Sequence, residues 1–169
     1  MDTNIVITER RQAVAILFFN RAPVNALSGA MRTAIFDAVA AALEDPTVEG
    51  LVLSTDHLPF SAGADIKEFS QGYLGKTFLD LYALFSTAKK PIVAGIRHYA
   101  LGGGLELAML CHYRIALAQS KLGQPEIKLG IIPGGTGTQS LPRLVGVEKA
   151  CDMILSGKPI TADQGLAYG

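Results

Sequence analysis

The chain has 169 residues, 49% hydrophobic and 18% charged, which suits one domain with a sizeable buried core and argues against disorder. Lys plus Arg balance Asp plus Glu at 15 each, so no basic field marks nucleic acid or an anionic membrane as the partner. Cys111 and Cys151 lack CxxC spacing, no apolar run reaches the length of a membrane span, and Met1-Asp2-Thr3-Asn4 does not open a secretory signal; together these read as a soluble intracellular protein without a zinc site.

In chain order, residues 5–9 and 13–19 read as two strands rich in Ile, Val and Phe, joined by the polar turn Arg10-Arg11-Gln12. After a loop over 22–28, Ser28 is placed to cap a helix running to about Leu43, with Met31, Ile35, Ala38, Val39 and Ala42 on one face. Asp45-Pro46 ends it, and Leu51-Val52-Leu53-Ser54 reads as a buried strand. A loop over 55–65 leads to Asp65, which with Glu68 resembles a capping box for a short helix. A longer helix is expected over 78–87, then a buried strand at 91–95, a helix from Gly103 into Cys111, and a strand over 114–118. From about Thr136 to the end the pattern is helical. Strand followed by helix, recurring without linker or repeat, indicates α/β architecture with mostly parallel strands over a single domain, 1–169.

Two glutamates carry the chemical signal. Glu106 closes Gly102-Gly103-Gly104-Leu105-Glu106, a run that frees backbone N–H groups at a helix start. Glu126 closes Gly123-Gln124-Pro125-Glu126, which holds a carboxylate on a constrained turn. Backbone donors beside two carboxylates are what polarising a carbonyl and moving protons next to it require. Each piece also has a plainer use. The glycines can serve close helix packing, Glu106 can oppose the helix dipole, and Glu126 beside Lys128 can be a surface acid. The apolar neighbours Leu105, Leu107, Ala108 and Met109 argue against a solvated Glu106, and a buried carboxylate needs a partner or a purpose. His57, His98 and His112 lack metal-like spacing, Ser61 lacks a GxSxG elbow, and Gly134-Gly135-Thr136-Gly137 is neither a P-loop nor a GxGxxG fingerprint.

The segments Pro23-Val24-Asn25-Ala26-Leu27, Phe60-Ser61-Ala62-Gly63-Ala64-Asp65-Ile66-Lys67, Ala100-Leu101-Gly102-Gly103-Gly104-Leu105-Glu106-Leu107-Ala108 and Gly123-Gln124-Pro125-Glu126 occur in that order, followed by Pro133-Gly134-Gly135 and Gly137-Thr138-Gln139. As an ordered set over essentially the whole chain they closely resemble the enoyl-CoA hydratase/isomerase (crotonase) family. Cys111-His112-Tyr113-Arg114 and Leu141-Pro142-Arg143-Leu144-Val145-Gly146-Val147 look most like the N-terminal half of multifunctional enzymes that also carry a 3-hydroxyacyl-CoA dehydrogenase.

The resemblance implies a spiral of ββα units with an oxyanion hole made by the N–H groups of Ala64 and Gly103, and Glu106 and Glu126 as the catalytic carboxylates. It implies that Ala64, Asp65, Ile66 and Lys67, together with Gly103, contact the CoA thioester. The expected reaction is hydration of trans-2-enoyl-CoA in fatty acid β-oxidation, with Δ3-Δ2-enoyl-CoA isomerisation or an inactive acyl-CoA-binding fragment as alternatives. No metal and no cofactor are expected: CoA enters as part of the substrate, and NAD belongs only to a dehydrogenase half of a longer parent. Family members continue past this length into C-terminal helices that cover the acyl pocket and build a trimer, so the chain is expected to lack most of that segment. The homo-oligomer and activity depend on it. The expected location is the cytoplasm in a bacterium, or the peroxisome or mitochondrion in a eukaryote.

Overall fold

The computed structural model of the protein describes residues 5–70 and 74–169. Strands β1 (Val6–Arg11) and β2 (Val14–Phe19) form an antiparallel hairpin with Arg11 opposite Val14, so Gln12 and Ala13 alone make the turn. The three-residue turn read from the sequence is therefore too long. Arg10 and Arg11 continue the ladder because β1 is an edge strand with its side chains largely exposed, where polar residues cost little. Gln12 supplies the positive φ (54°) that a two-residue hairpin requires.

Helix α1 (Gly29–Glu44) begins where expected: Ser28 is the cap, and its Oγ accepts from the Met31 N–H at 3.3 Å. Met31, Ile35, Val39 and Ala42 are buried, while Ala38 is only half-buried and Arg32 joins the buried face. Strands β3 (Gly50–Ser54), β4 (Ile92–Ile96) and β6 (Tyr113–Ala116) extend the hairpin into a five-stranded sheet, β1-β2-β3-β4-β6, parallel from β2 onward. One face of β2, β3 and β4 is fully buried, through Leu17, Phe19, Leu51, Leu53, Ile92 and Ile96, and the other is half-buried. The parallel strands are thus not sunk equally on both faces.

Beside this sheet runs a second ladder that the sequence did not announce. Leu27 bridges Ala64, Ser61 bridges Ala100, and β5 (Tyr99–Leu101) pairs in parallel with β7 (Lys121–Gly123), which pairs antiparallel with β8 (Ile160–Thr161). Each pass of the chain thus lays one strand in the large sheet, one short extended segment in the second ladder, and a helix. This is the spiral of ββα units. The short segments escape a sequence reading because two- and three-residue strands carry no periodicity.

Helix α2 (Phe78–Ser86) is capped by Thr77 in a reciprocal box with Asp80. The box expected at Asp65 and Glu68 is not formed. Asp65 does accept from the Lys67 N–H at 3.2 Å and opens a short 3-10 turn (Ile66–Ser70), but Glu68 turns away and accepts from the Gly29 N–H at 2.7 Å. Helix α3 (Gly103–Leu110) is buried over seven of its eight residues, from Gly103 to Met109. The terminal region is not one helical run: α4 (Gly137–Val145) ends at Gly146 (φ 80°), α5 (Val147–Ser156) at Gly157 (φ 61°), and β8 precedes α6 (Ala162–Tyr168). Leu105, Met109, Tyr113, Ile115, Leu141 and Leu166 help line an apolar cavity of about 520 Å³ between α3, β6 and these terminal elements.

Candidate active site

Three loops are sewn together to build the site. Asn25 is buried; its Oδ1 accepts from the Arg21 N–H at 2.7 Å, and its Nδ2 donates to the Pro59 carbonyl at 2.7 Å. Ser61, also buried, donates its hydroxyl to the Asn25 carbonyl at 2.7 Å and accepts from the Gly63 N–H at 3.1 Å. Ser61 is therefore a structural hydroxyl, as the missing elbow implied. A Cβ at Gly104 would fall 2.7 Å from the Ser61 carbonyl, so this glycine lets α3 approach the loop closely.

Ala64 and Gly103 are brought side by side. The Gly63 carbonyl accepts from the Leu27 N–H at 2.8 Å, so across the trans peptide the Ala64 N–H points away from Leu27, and Ala64 lines the cavity. Gly103 is the first residue of α3, where N–H groups project from the helix end without intrahelical partners. A Cβ built on Gly103 would lie 3.3 Å from the Ala64 nitrogen. Gly102, at φ 51° and ψ −128°, makes the reversal between β5 and α3, a conformation open in practice to glycine alone.

The two carboxylates line the same cavity, Glu106 from the first turn of α3 and Glu126 from the turn after β7. Glu106 is 2% exposed, and its Oε1 accepts from the N–H groups of Gly135 and Gly137, both at 2.7 Å. Thr136 between them has φ 83°, a strained conformation for a β-branched residue, and it turns both flanking N–H groups onto one oxygen. Glu126 opens the 3-10 turn Glu126–Leu129 after Pro125 and lies against Gly102, whose added Cβ would meet Glu126 Oε1 at 3.0 Å. Gln124 is fully buried, and with its amide oriented to satisfy both groups its nitrogen donates to Glu126 Oε1 at 2.9 Å and Oε2 at 3.1 Å.

Burial raises the pKa of both carboxyls. For Glu106, burial outweighs the two N–H bonds that favour its charged form. For Glu126, burial is the largest cause, opposed by its own backbone N–H and reinforced by the charge of Glu106, and the value is pushed up to about 7. Two carboxyls with raised pKa values in one cavity are suited to holding and exchanging protons. The buried thiol of Cys111, pushed up to about 12, has no such role.

Ala64, Ile66, Gly103, Glu106 and Glu126 line one cavity of about 290 Å³, with an apolar wall from Phe78, Leu79, Leu129, Ile131 and Ile132. Asp65 and Lys67 of the same expected contact loop stand elsewhere. The Asp65 carboxylate pairs with Arg21 at 2.8 Å, and Lys67 is exposed. Sequence reasoning ruled out a P-loop or GxGxxG fingerprint at Gly134–Gly137 but missed the role of Gly135–Gly137 as a cradle for Glu106, and the parts played by Gln124 and Phe78. The glycine cluster was the available signal, but its ligand is a side chain 29 and 31 positions away. Among the described residues no group of His, Cys, Asp and Glu could hold a metal ion, and no helix is long and apolar enough to cross a membrane.

Residues 9–169 match the model of the enoyl-CoA hydratase/isomerase family. The chain is 43% identical over 159 residues to the peroxisomal bifunctional enzyme of Danio rerio, covering 94% of this chain but 22% of that protein. It is 40% identical over 177 residues to the crotonyl-CoA hydratase of Syntrophomonas wolfei, covering 97% and 66%. A solved Geobacillus kaustophilus structure described as enoyl-CoA hydratase subunit I superposes with a TM-score of 0.91 at 32% identity, over all of this chain and 68% of that one. The chain thus spans about a fifth of the bifunctional enzyme and about two thirds of the crotonyl-CoA hydratase. With the ββα spiral and the family match running together over nearly its whole length, the chain belongs to the enoyl-CoA hydratase/isomerase family.

Proposed function

We propose that this chain carries the active site for hydrating a trans-2-enoyl-CoA to the 3-hydroxyacyl-CoA in fatty acid β-oxidation. The observation that supports the reading is that Ala64, Gly103, Glu106 and Glu126 line one cavity. Adding water to the conjugated thioester moves charge onto the thioester oxygen. Two fixed N–H donors stabilise that charge more in the transition state than in the ground state. Glu106, with Oε1 tied to two N–H groups, offers its other oxygen to a water and takes its proton as the water oxygen bonds to the β-carbon. Glu126, with a pKa near neutrality, delivers a proton to the α-carbon, and exchange through water resets the pair. The loop from Ala64 to Lys67 holds the CoA part of the substrate, and no cofactor takes part.

The pKa of Glu126 also favours a second activity, Δ3-Δ2-enoyl-CoA isomerisation, in which one carboxyl lifts a proton and returns it to another carbon. The homo-oligomer implied by the family resemblance is part of the proposal, supported by the exposed apolar side chains of Tyr113, Ile115 and Leu166 beside the larger cavity. Sedimentation velocity tests it: the proposal expects a self-associated species, and a compact monomer with full activity would overturn it. Loss of the conjugated enoyl absorbance of crotonyl-CoA tests hydration, and conversion of a 3-enoyl-CoA tests isomerisation. A protein that binds the thioester but catalyses neither would be an acyl-CoA-binding domain and not an enzyme.

A further inference from the structure

The ring of Phe78 touches both halves of the backbone machinery. A Cβ added at Gly103 would lie 2.9 Å from Phe78 Cζ, and one added at Gly135 would lie 2.6 Å from its Cδ1 and 2.8 Å from its Cγ. Gly103 supplies a cavity-facing N–H, and the Gly135 N–H holds Glu106. The half-buried ring also lines the cavity. Its backbone is fixed from both sides. Thr77 before it closes a capping box with Asp80. The Lys76 carbonyl accepts from Arg32 Nε at 2.6 Å, and the Lys76 N–H donates to Thr33 Oγ1 at 3.0 Å, which fasten the segment to α1. A ring anchored in this way is a wall of fixed position.

We propose that Phe78 is a specificity-determining residue that limits substitution at the β-carbon of the acyl chain. The inference rests on the hydratase reading of the same site. With the thioester oxygen at the Ala64 and Gly103 N–H groups and Glu106 beside the β-carbon, a ring packed on Gly103 and Gly135 stands on the side where Glu106 works. A hydrogen on the β-carbon clears the ring; a methyl group meets it. One methyl group of misfit in an apolar pocket changes kcat/KM by about 10- to 200-fold.

The test compares crotonyl-CoA with 3-methylcrotonyl-CoA on the intact protein and on Phe78→Ala and Phe78→Leu, by turnover. Calorimetry of the corresponding 3-hydroxyacyl-CoA products gives binding without requiring turnover. The branched-to-straight ratio should rise about tenfold or more in Phe78→Ala and by less in Phe78→Leu. If Phe78→Ala does not fold, the Leu variant carries the comparison. Ratios unchanged in both turnover and binding would overturn the role of Phe78 and leave the hydratase reading standing. A wild-type protein that neither binds nor converts either thioester would overturn both.

Discussion

The Gly137 N–H donates to Glu106 Oε1 at 2.7 Å, and the Gly135 N–H meets the same oxygen at the same distance. One oxygen of the carboxylate is thereby saturated, and the carboxylate plane is fixed from outside its own helix. Glu106→Gln can keep the acceptor oxygen in that cradle while removing the charge. Hydration should fall by about 10²–10⁴, the usual worth of a positioned base, with the melting temperature retained. Isomerisation should suffer less, whereas Glu126→Gln should cut both reactions. Parallel assays with 2-enoyl and 3-enoyl thioesters check this, and an intact rate for both reactions in Glu126→Gln would remove that residue from the mechanism.

Burial and the neighbouring Glu106 raise Glu126 from 4.5 to about 7, so the native state holds its proton more tightly than the unfolded chain does. The stability this contributes is complete below pH 4.5 and is lost progressively as pH rises to about 7. Hydration, which uses the protonated form, should decline on the alkaline side of about pH 7. In Glu106→Gln the repelling charge is gone, so this limb should move to lower pH. Thermal melts and pH–rate profiles of wild type, Glu106→Gln and Glu126→Gln measure both effects.

Gln124 donates to both oxygens of Glu126, which favours the charged carboxylate. Gln124→Leu removes the donor from a buried site, so the pKa of Glu126 should rise further and the alkaline limb should move up. A merely structural glutamine would change the melting temperature without moving the limb.

Gly103→Pro deletes one oxyanion donor at a helix position that tolerates proline, and losing one such donor costs about 10²–10³ in rate. Its Cβ also meets Phe78, at 2.9 Å from Cζ. Gly103→Ala retains the N–H and introduces the same Cβ contact, so it controls for that contact with Phe78. Equal kcat in both variants would sink the oxyanion hole at this position.

Arg32 is 2% exposed, pairs with Glu68 at 3.4 Å and donates to the Leu27, Leu74 and Lys76 carbonyls. It ties α1 to the segment that carries Phe78. Glu68→Gln leaves the buried guanidinium without its carboxylate and should cost about 3–5 kcal/mol, read as a lowered denaturation midpoint. A midpoint within error of wild type would show that Arg32 is held without the Glu68 charge.

The α/β class, the cap at Ser28, the start of α3 at Gly103 and the choice of Glu106 and Glu126 as candidate carboxylates were legible in the sequence. Those features are local: a capping side chain, a glycine that frees a helix end and a carboxylate in an apolar run are set by neighbours a few residues away. The tertiary structure alone decided that Asp65 pairs with Arg21, that Glu68 caps α1 through Gly29 and not its own turn, and that the short strands β5, β7 and β8 form a second ladder. It also decided that the Gly135–Gly137 turn cradles Glu106 and that Phe78 walls the cavity. Each of these joins groups distant in the chain, and the energy that selects them comes from burial and from satisfying buried donors. That energy exists only once the spiral has brought the loops together.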